Sequence, residues 1–383
     1  MKAFIVLALG SLGLLSCSTS SLRGTGDLGV VVERAAGRVM LVETTTRTAI
    51  GRVDGLGDLS HASIVFSRDA RYAYVFGRDG GLTKVDLLSV RIARRVIQSG
   101  NAIGGAISQD GRLVAAANYT PGGIRIFDAD TLELLSEVPT GSKVVGIADA
   151  PGNRFVFSLF DAGEIWIVDA SQPRHPRVQR ISGIGKQPYD GFVTPDGRHY
   201  IAGLYGEDGL ALVDLWHPEQ GARRVLAGYG RGEEPLPVFK MPHLRGWAAA
   251  GRYLFLPAIG RHEVLVLDRV GWTEAARIPV RGQPVFAVAQ PGGRRVWVNF
   301  ALPHNDAVQV IDVDAMQVVK DLRPGRAVLH LEFTPRGEQA WISSRDDDAV
   351  AVYDTASYAE LARLSAEKPS GIFLTSRAAM TGF

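Results

Sequence analysis

Two histidines, His61 and His243, stand at equivalent points of a repeating pattern, and the same pattern places Arg78, Arg345, Tyr119 and Tyr205 around them. Neutral imidazole is a good ligand for iron. A guanidinium grips a carboxylate through two parallel hydrogen bonds. A tyrosine offers an apolar face and a hydroxyl. Together these groups suit a flat, polyanionic, metal-bearing ligand with one imidazole on each side. Each also has a plainer reading. A histidine at a strand start commonly does no more than bond its surroundings. Arg78 and Arg345 could pair with their neighbours Asp79 and Asp346, and Tyr119 and Tyr205 could be packing residues. His175, His199, His217 and His262 fall near turns or edges of the repeat and read as surface, while His304 and His330 carry no assignment.

Other chemistries find less support. The 42 basic and 40 acidic residues nearly cancel and form no long basic run, so no nucleic-acid partner is expected. No triplet of ligands has the close spacing of a zinc hydrolase. The glycines of 228–234, GYGRGEE, precede no expected helix, so no dinucleotide site is read there, and no tightly bound flavin or nicotinamide is expected. Cys17 is the single cysteine, which excludes a disulfide framework and a cysteine metal site.

Cys17 has its own context. Lys2 is followed by an apolar stretch, Ala3 to Leu15, too short to span a bilayer. It ends in Leu14-Leu15-Ser16-Cys17, which resembles a bacterial lipobox. The expectation is a lipoprotein signal peptide over 1–16, lipidation of Cys17, a tether over 17–27 and a periplasmic protein held to a membrane by its lipid. Ser18 after the cysteine, rather than Asp, points to the outer membrane.

The elements that must position the histidines repeat. Apolar strands end in an acidic residue at Glu43, Asp86, Asp128, Asp169, Asp214, Asp268, Asp312 and Asp354, at intervals of 41–45 residues with one of 54. A second marker keeps the same phase: a turn before a strand, as in SRDARYAYV, SQDGRLVAA, TPDGRHYIA and PRGEQAWIS. A β-type repeat of this period is the signature of propeller blades. The fold expected over 28–383 is an all-β, eight-bladed β-propeller with four-stranded blades. Seven blades begin near His61, Ile103, Val144, Tyr189, His243, Val285 and Val328. The eighth is split, with 29–53 giving its later strands and Gly371 to Thr375 its inner strand, so that the N- and C-terminal strands pair and close the ring. The long interval spans Trp216 to Lys240 and reads as an insertion before the first strand of blade 5.

The first two strands of a blade are antiparallel, so the start of one and the end of the other share a face. Inner strands start at His61, Ala102, Val144, Pro188, His243, Pro284 and Val328. Second strands end at Arg78, Tyr119, Asp161, Tyr205, Ile259, Ala301 and Arg345. Blades 1 and 5 of eight face each other, so His61 and His243 oppose across the axis.

The strings GLGDLSHASIVFSRDARYAYVFGRDGGLTKVDL, GNAIGGAISQDGRLVAAANYTPGG, GKQPYDGFVTPDGRHYIAGLYGEDGLALVDLWHPE, LPVFKMPHLRGWA, GQPVFAVAQP and SGIFLTSRA resemble the NirF family of haem d1 biosynthesis proteins, over essentially the whole chain after the tether. That family is similar in turn to the d1-haem propeller of cytochrome-type nitrite reductase. The resemblance implies that His61 is the axial iron ligand and that His243 stands on the opposite face. It also implies that Arg78 binds a carboxylate. The reductase's second distal histidine has no counterpart in Gly282-Gln283-Pro284-Val285-Phe286. A chain with one cysteine cannot carry the reductase's Cys-x-x-Cys-His haem.

The implied role is a late step of haem d1 assembly in the periplasm, with haem d1 or dihydro-haem d1 as the bound molecule. On this reading the chain dehydrogenates dihydro-haem d1, propionate to acrylate, in exchange with an external electron acceptor. His243 or Tyr119 serves in proton transfer, Asp190 and Lys186 of GKQPYDG line the same mouth, and Tyr205 and Arg345 help to bind the disc. The alternative is a non-catalytic carrier that delivers haem d1 to the nitrite reductase. Expected partners are other haem d1 biosynthesis proteins and that reductase.

Overall fold

A computed structural model describes residues 24–228, 247–258, 260–380 and 382. Cys17, His243 and Ile259, with the rest of 229–246, lie outside the described residues.

The chain forms eight four-stranded antiparallel sheets. The innermost strands of blades 1–7 are Ser63–Phe66, Ala102–Ile107, Val144–Ala150, Pro188–Val193, Ala248–Ala250, Pro284–Ala289 and Val328–Phe333. Blade 8 takes its innermost strand, Pro369–Leu374, from the end of the chain and its other three, Leu28–Glu33, Arg38–Glu43 and Thr48–Val53, from the start. Gly29, Val30 and Val31 pair with Leu374, Phe373 and Ile372. The closing seam carries a buried ionic clasp. The carboxylate of Glu33 accepts hydrogen bonds from Arg38 at 2.6 Å, Arg52 at 3.0 Å and the Glu367 N–H at 2.8 Å.

The acidic repeat is a turn device. The carboxylate of Asp128 accepts from the N–H groups of Asp130 and Thr131, that of Asp86 from Leu88 and Ser89, and that of Asp354 from Ala356 and Ser357. The side chain thereby satisfies backbone donors that the turn leaves unpaired. The same carboxylates often pair with an arginine that opens the second strand: Arg71 with Asp86 at 3.1 Å, Arg198 with Asp214 at 2.8 Å, Arg295 with Asp312 at 2.6 Å. The core lies between blades, where apolar faces of adjacent sheets meet. Trp297 of blade 6 packs edge-on against Phe333 of blade 7 with ring centroids 5.5 Å apart.

One expectation needs correction. The segment read as an insertion from Trp216 contains the outermost strand of blade 4, Ala222–Val225. Every blade requires a fourth strand after its acidic residue, so the irregular stretch begins only beyond it.

The upper face is defined here by the starts of the inner strands. At the lower face a tail follows the closing strand. Arg377 forms a buried pair with Glu332 of blade 7, its Nε 2.6 Å from Oε1. Gly382 donates its N–H to Asp149 of blade 3 at 2.8 Å. The Arg68 guanidinium of blade 1 donates to the Ala378 and Met380 carbonyls, so the tail is bonded to blades 7, 1 and 3 at the lower face.

Candidate funnel site

A cavity of about 440 Å3 opens around the axis at the upper end. Its wall is built by a device that the strand pattern does not announce. In blades 2, 3, 4, 6, 7 and 8 the inner strand carries a β-bulge where it pairs with the second strand. In blade 4, for example, Tyr189 faces Gly203 and Gly191 faces Ala202, which leaves Asp190 as the extra residue, at φ +60°. A bulge turns side chains off the strand's regular alternation. Here it directs Ile103, Ile147, Asp190, Leu329 and His330 into the cavity.

Each bulge frees backbone polar groups, which must find partners when buried. In blades 3, 6 and 7 fully buried polar side chains on second strands supply them. Asn299 accepts from the Phe286 N–H at 2.9 Å and donates to the Val328 carbonyl at 3.0 Å. Ser343 accepts from the His330 N–H at 2.9 Å. The buried Tyr200 hydroxyl donates to the Gly146 carbonyl at 2.9 Å.

The structure brings together His61, Arg78, Tyr119, Asp190 and Arg345 as lining residues. It does not bring in Lys186 or Tyr205. Lys186 is exposed, and the Tyr205 ring lies against Phe160 with centroids 6.3 Å apart. Both belong to the rim of blade 4 rather than to the lining of the cavity. Arg345 does pair with its neighbour Asp346, at 2.8 Å. Asp79 pairs instead with Arg95 at 2.6 Å, so Arg78 makes no salt bridge among the described residues.

Three lining residues had no place in the sequence reading of the mouth. Arg34 follows the second strand of blade 8 as Arg345 follows that of blade 7 and Tyr119 that of blade 2. Extended to the split blade, the series of second-strand ends gives Arg34. Tyr189, near which blade 4 begins, also lines the cavity. His330 accepts the Ile372 N–H at Nδ1, 3.2 Å away, and stacks on Phe373 at 5.5 Å while meeting Phe286 edge-on at 5.6 Å. These rings make one apolar arc of the wall.

The electrostatics are asymmetric. Arg345, Arg34 and Arg78 occupy consecutive blades 7, 8 and 1. Burial, then the charges of Arg345 and Arg78, push the pKa of Arg34 down. Burial, then Arg78 and Arg34, hold His61 below the ordinary imidazole range. His61 is therefore neutral at pH 7, the form that ligates a metal. On the other side, the hydroxyls of Tyr119 and Tyr189 share a hydrogen bond, and burial foremost, with the charge of Asp190, raises both pKa values. Those tyrosines are protonated and can donate, while Asp190 supplies a carboxylate among them. The donor set fits an iron tetrapyrrole with acidic side chains: a neutral imidazole for the metal, guanidiniums for carboxylates and aromatic surface for the disc.

Residues 23–378 match the family model of the cytochrome D1 heme domain. Two proteins called Protein NirF, from Stutzerimonas stutzeri and Pseudomonas aeruginosa, are each 58% identical, over 100% and 96% of both chains respectively. The chain belongs to the NirF family of cytochrome D1 heme domain proteins. A dihydro-heme d1 dehydrogenase of Pseudomonas aeruginosa is 29% identical, over 90% of this NirF-family chain and 70% of its own. The structure of dihydro-heme d1 dehydrogenase NirN in complex with DHE superposes with a TM-score of 0.81 at 27% identity, covering 94% of this chain and 78% of that one.

Proposed function

We propose that the funnel binds a d1-type haem as substrate and dehydrogenates it at a propionate side chain, in the periplasm. One observation carries this reading: three guanidiniums on consecutive blades stand beside a neutral histidine. His61 is the iron ligand. Arg34, Arg78 and Arg345 receive carboxylates, which fixes the acidic edge of the disc over blades 7, 8 and 1. Dehydrogenation removes two protons and two electrons from adjacent side-chain carbons. Asp190 is the proton acceptor, since the neighbouring tyrosines are held protonated, and Tyr119 and Tyr189 orient the group by donating hydrogen bonds. The two electrons and the second proton pass to an external two-electron acceptor.

Two assays test this. His61→Ala should abolish the axial-ligand features in the absorption spectrum of bound haem d1; an unchanged spectrum removes His61 from the iron. Incubation with dihydro-haem d1 and a chemical oxidant should yield a product lighter by two hydrogens, in the wild type and not in Asp190→Asn.

A second reading, the carrier, has its own support. Pseudomonas aeruginosa holds both a Protein NirF and a separate dihydro-heme d1 dehydrogenase. Tight binding without any change of mass would favour the carrier.

A further inference from the structure

We propose that the propeller meets the membrane with its lower face, so that the funnel opens away from the bilayer. The first described residues lie on the lower face. The Thr25 hydroxyl donates to the Asp69 carbonyl in a lower turn at 3.2 Å, and Thr375 of the tail donates to the Thr25 carbonyl at 2.6 Å. Only residues 18–23 separate Cys17 from Gly24. Even fully extended, that stretch reaches at most about 25 Å. A mouth-first orientation would need roughly 20 Å along the strands and about 10 Å sideways past the two outer strands, before any side chain is cleared. The strands block the direct line, and round the outside of the blade the two legs add to about 30 Å, beyond the reach of the tether.

The surface on that side suits a lipid surface. Trp216 is 58% exposed and Val270 is 76% exposed, in equivalent lower turns of neighbouring blades 4 and 5, and Met380 of the tail is 42% exposed. The Arg198 guanidinium lies 5.3 Å over the Trp216 ring. A tryptophan beside an arginine is the pairing that settles at the headgroup level of a bilayer. Among the described residues the upper face presents Leu302 and Ile97, on separate blades.

The inference rests on acylation of Cys17 and is independent of what the funnel holds. Its test uses the full lipoprotein, in which the one native thiol is blocked once acylated. Val270→Cys in a lower turn and Ala162→Cys in an exposed upper turn are each reconstituted on phosphatidylethanolamine–phosphatidylglycerol vesicles and labelled with a polyethylene-glycol maleimide. The same substitutions in a Cys17→Ser chain, mixed with the vesicles, give the reference. Labelling of Val270→Cys should slow several-fold and that of Ala162→Cys should not change. Lipids brominated in the acyl chain should quench tryptophan fluorescence, and Trp216→Phe should remove most of that quenching. Equal labelling of Val270→Cys in both chains, protection of Ala162→Cys, or a purified chain without the diacylglyceryl mass would each overturn the proposal. Haem titration on the same vesicles reads the funnel separately: its failure would count against the proposed function and leave the orientation standing.

Discussion

Arg34→Met isolates what the arginine arc contributes to binding. Arg34 has no salt bridge among the described residues, donates to the Ser60 carbonyl and sits beside two more cations, Arg345 and Arg78. Asp58 offsets that charge only in part, and an arriving anion completes the compensation. A hydrogen bond to a charged group contributes about 1.5–3 kcal/mol. The loss should weaken a d1-type haem by about 10- to 150-fold. The upper part of that range is expected, because burial of the guanidinium raises the value of a counter-charge. Arg345 already shares its charge with Asp346 at 2.8 Å, so Arg345→Met should cost about tenfold or less. The removal of Arg34 relieves repulsion from Arg345 and Arg78 but loses the attraction of Asp58 and the bond to Ser60, so thermal stability should change little. The assay is an absorbance titration of the apoprotein with the tetrapyrrole and with its fully esterified form. Esterification removes the anion, so wild type and Arg34→Met should bind the ester alike. An equal loss for acid and ester, or a greater loss in Arg345→Met than in Arg34→Met, refutes the carboxylate role.

Glu33 makes ring closure acid-sensitive. Burial raises its pKa, but the bonds from Arg38, the Glu367 N–H and Arg52 outweigh burial and hold it below the ordinary carboxyl range. The stabilisation is full above the unfolded value of about 4.3 and is lost as pH falls through the lowered folded value. The thermal midpoint of the wild type should drop in that window; Glu33→Gln should melt lower at neutral pH and vary less in acid. Glu332→Gln breaks the buried pair with Arg377 and should cost about 3–5 kcal/mol in denaturant unfolding; a loss below about 1 kcal/mol would remove the tail clasp from the account. Asn299→Ala leaves the Phe286 N–H without its partner and should cost about 1–3 kcal/mol, with weakened haem binding beyond that if the bulge relaxes.

Much of the fold was legible in the sequence because one residue type performs one task in every blade. The carboxylate that ends the third strand caps its turn, so Asp86, Asp128 and Asp354 recur at a spacing that only a blade explains. The site was legible wherever it follows that spacing. His61, Arg78, Tyr119 and Arg345 were found by counting, and Arg34 obeys the same count once the split blade is included. Tyr205 obeys it too and yet misses the cavity, because its ring turns onto Phe160. Register places a Cα, and local packing decides where the side chain goes.

The remainder was hidden for a different reason. A bulge inserts one residue without changing the period of the blade, so neither marker of the repeat registers it. Its trace lies on the neighbouring strand. Ser158, Asn299 and Ser343 are fully buried polar residues that each follow a run of buried apolar residues in a second strand. A buried polar group requires a partner, and a regular ladder already pairs its own backbone. Such a residue therefore reports a break in the ladder opposite it. Read that way, Ser343 in QAWISS marks the bulge that turns His330 inward, and Asn299 in RVWVNF marks the one at Phe286. The bulges of six blades, three of them held by buried polar residues, turn side chains of ordinary blades into the funnel wall. Substitutions at Asn299 and Ser343, which do not line the cavity, should consequently perturb haem binding as well as stability.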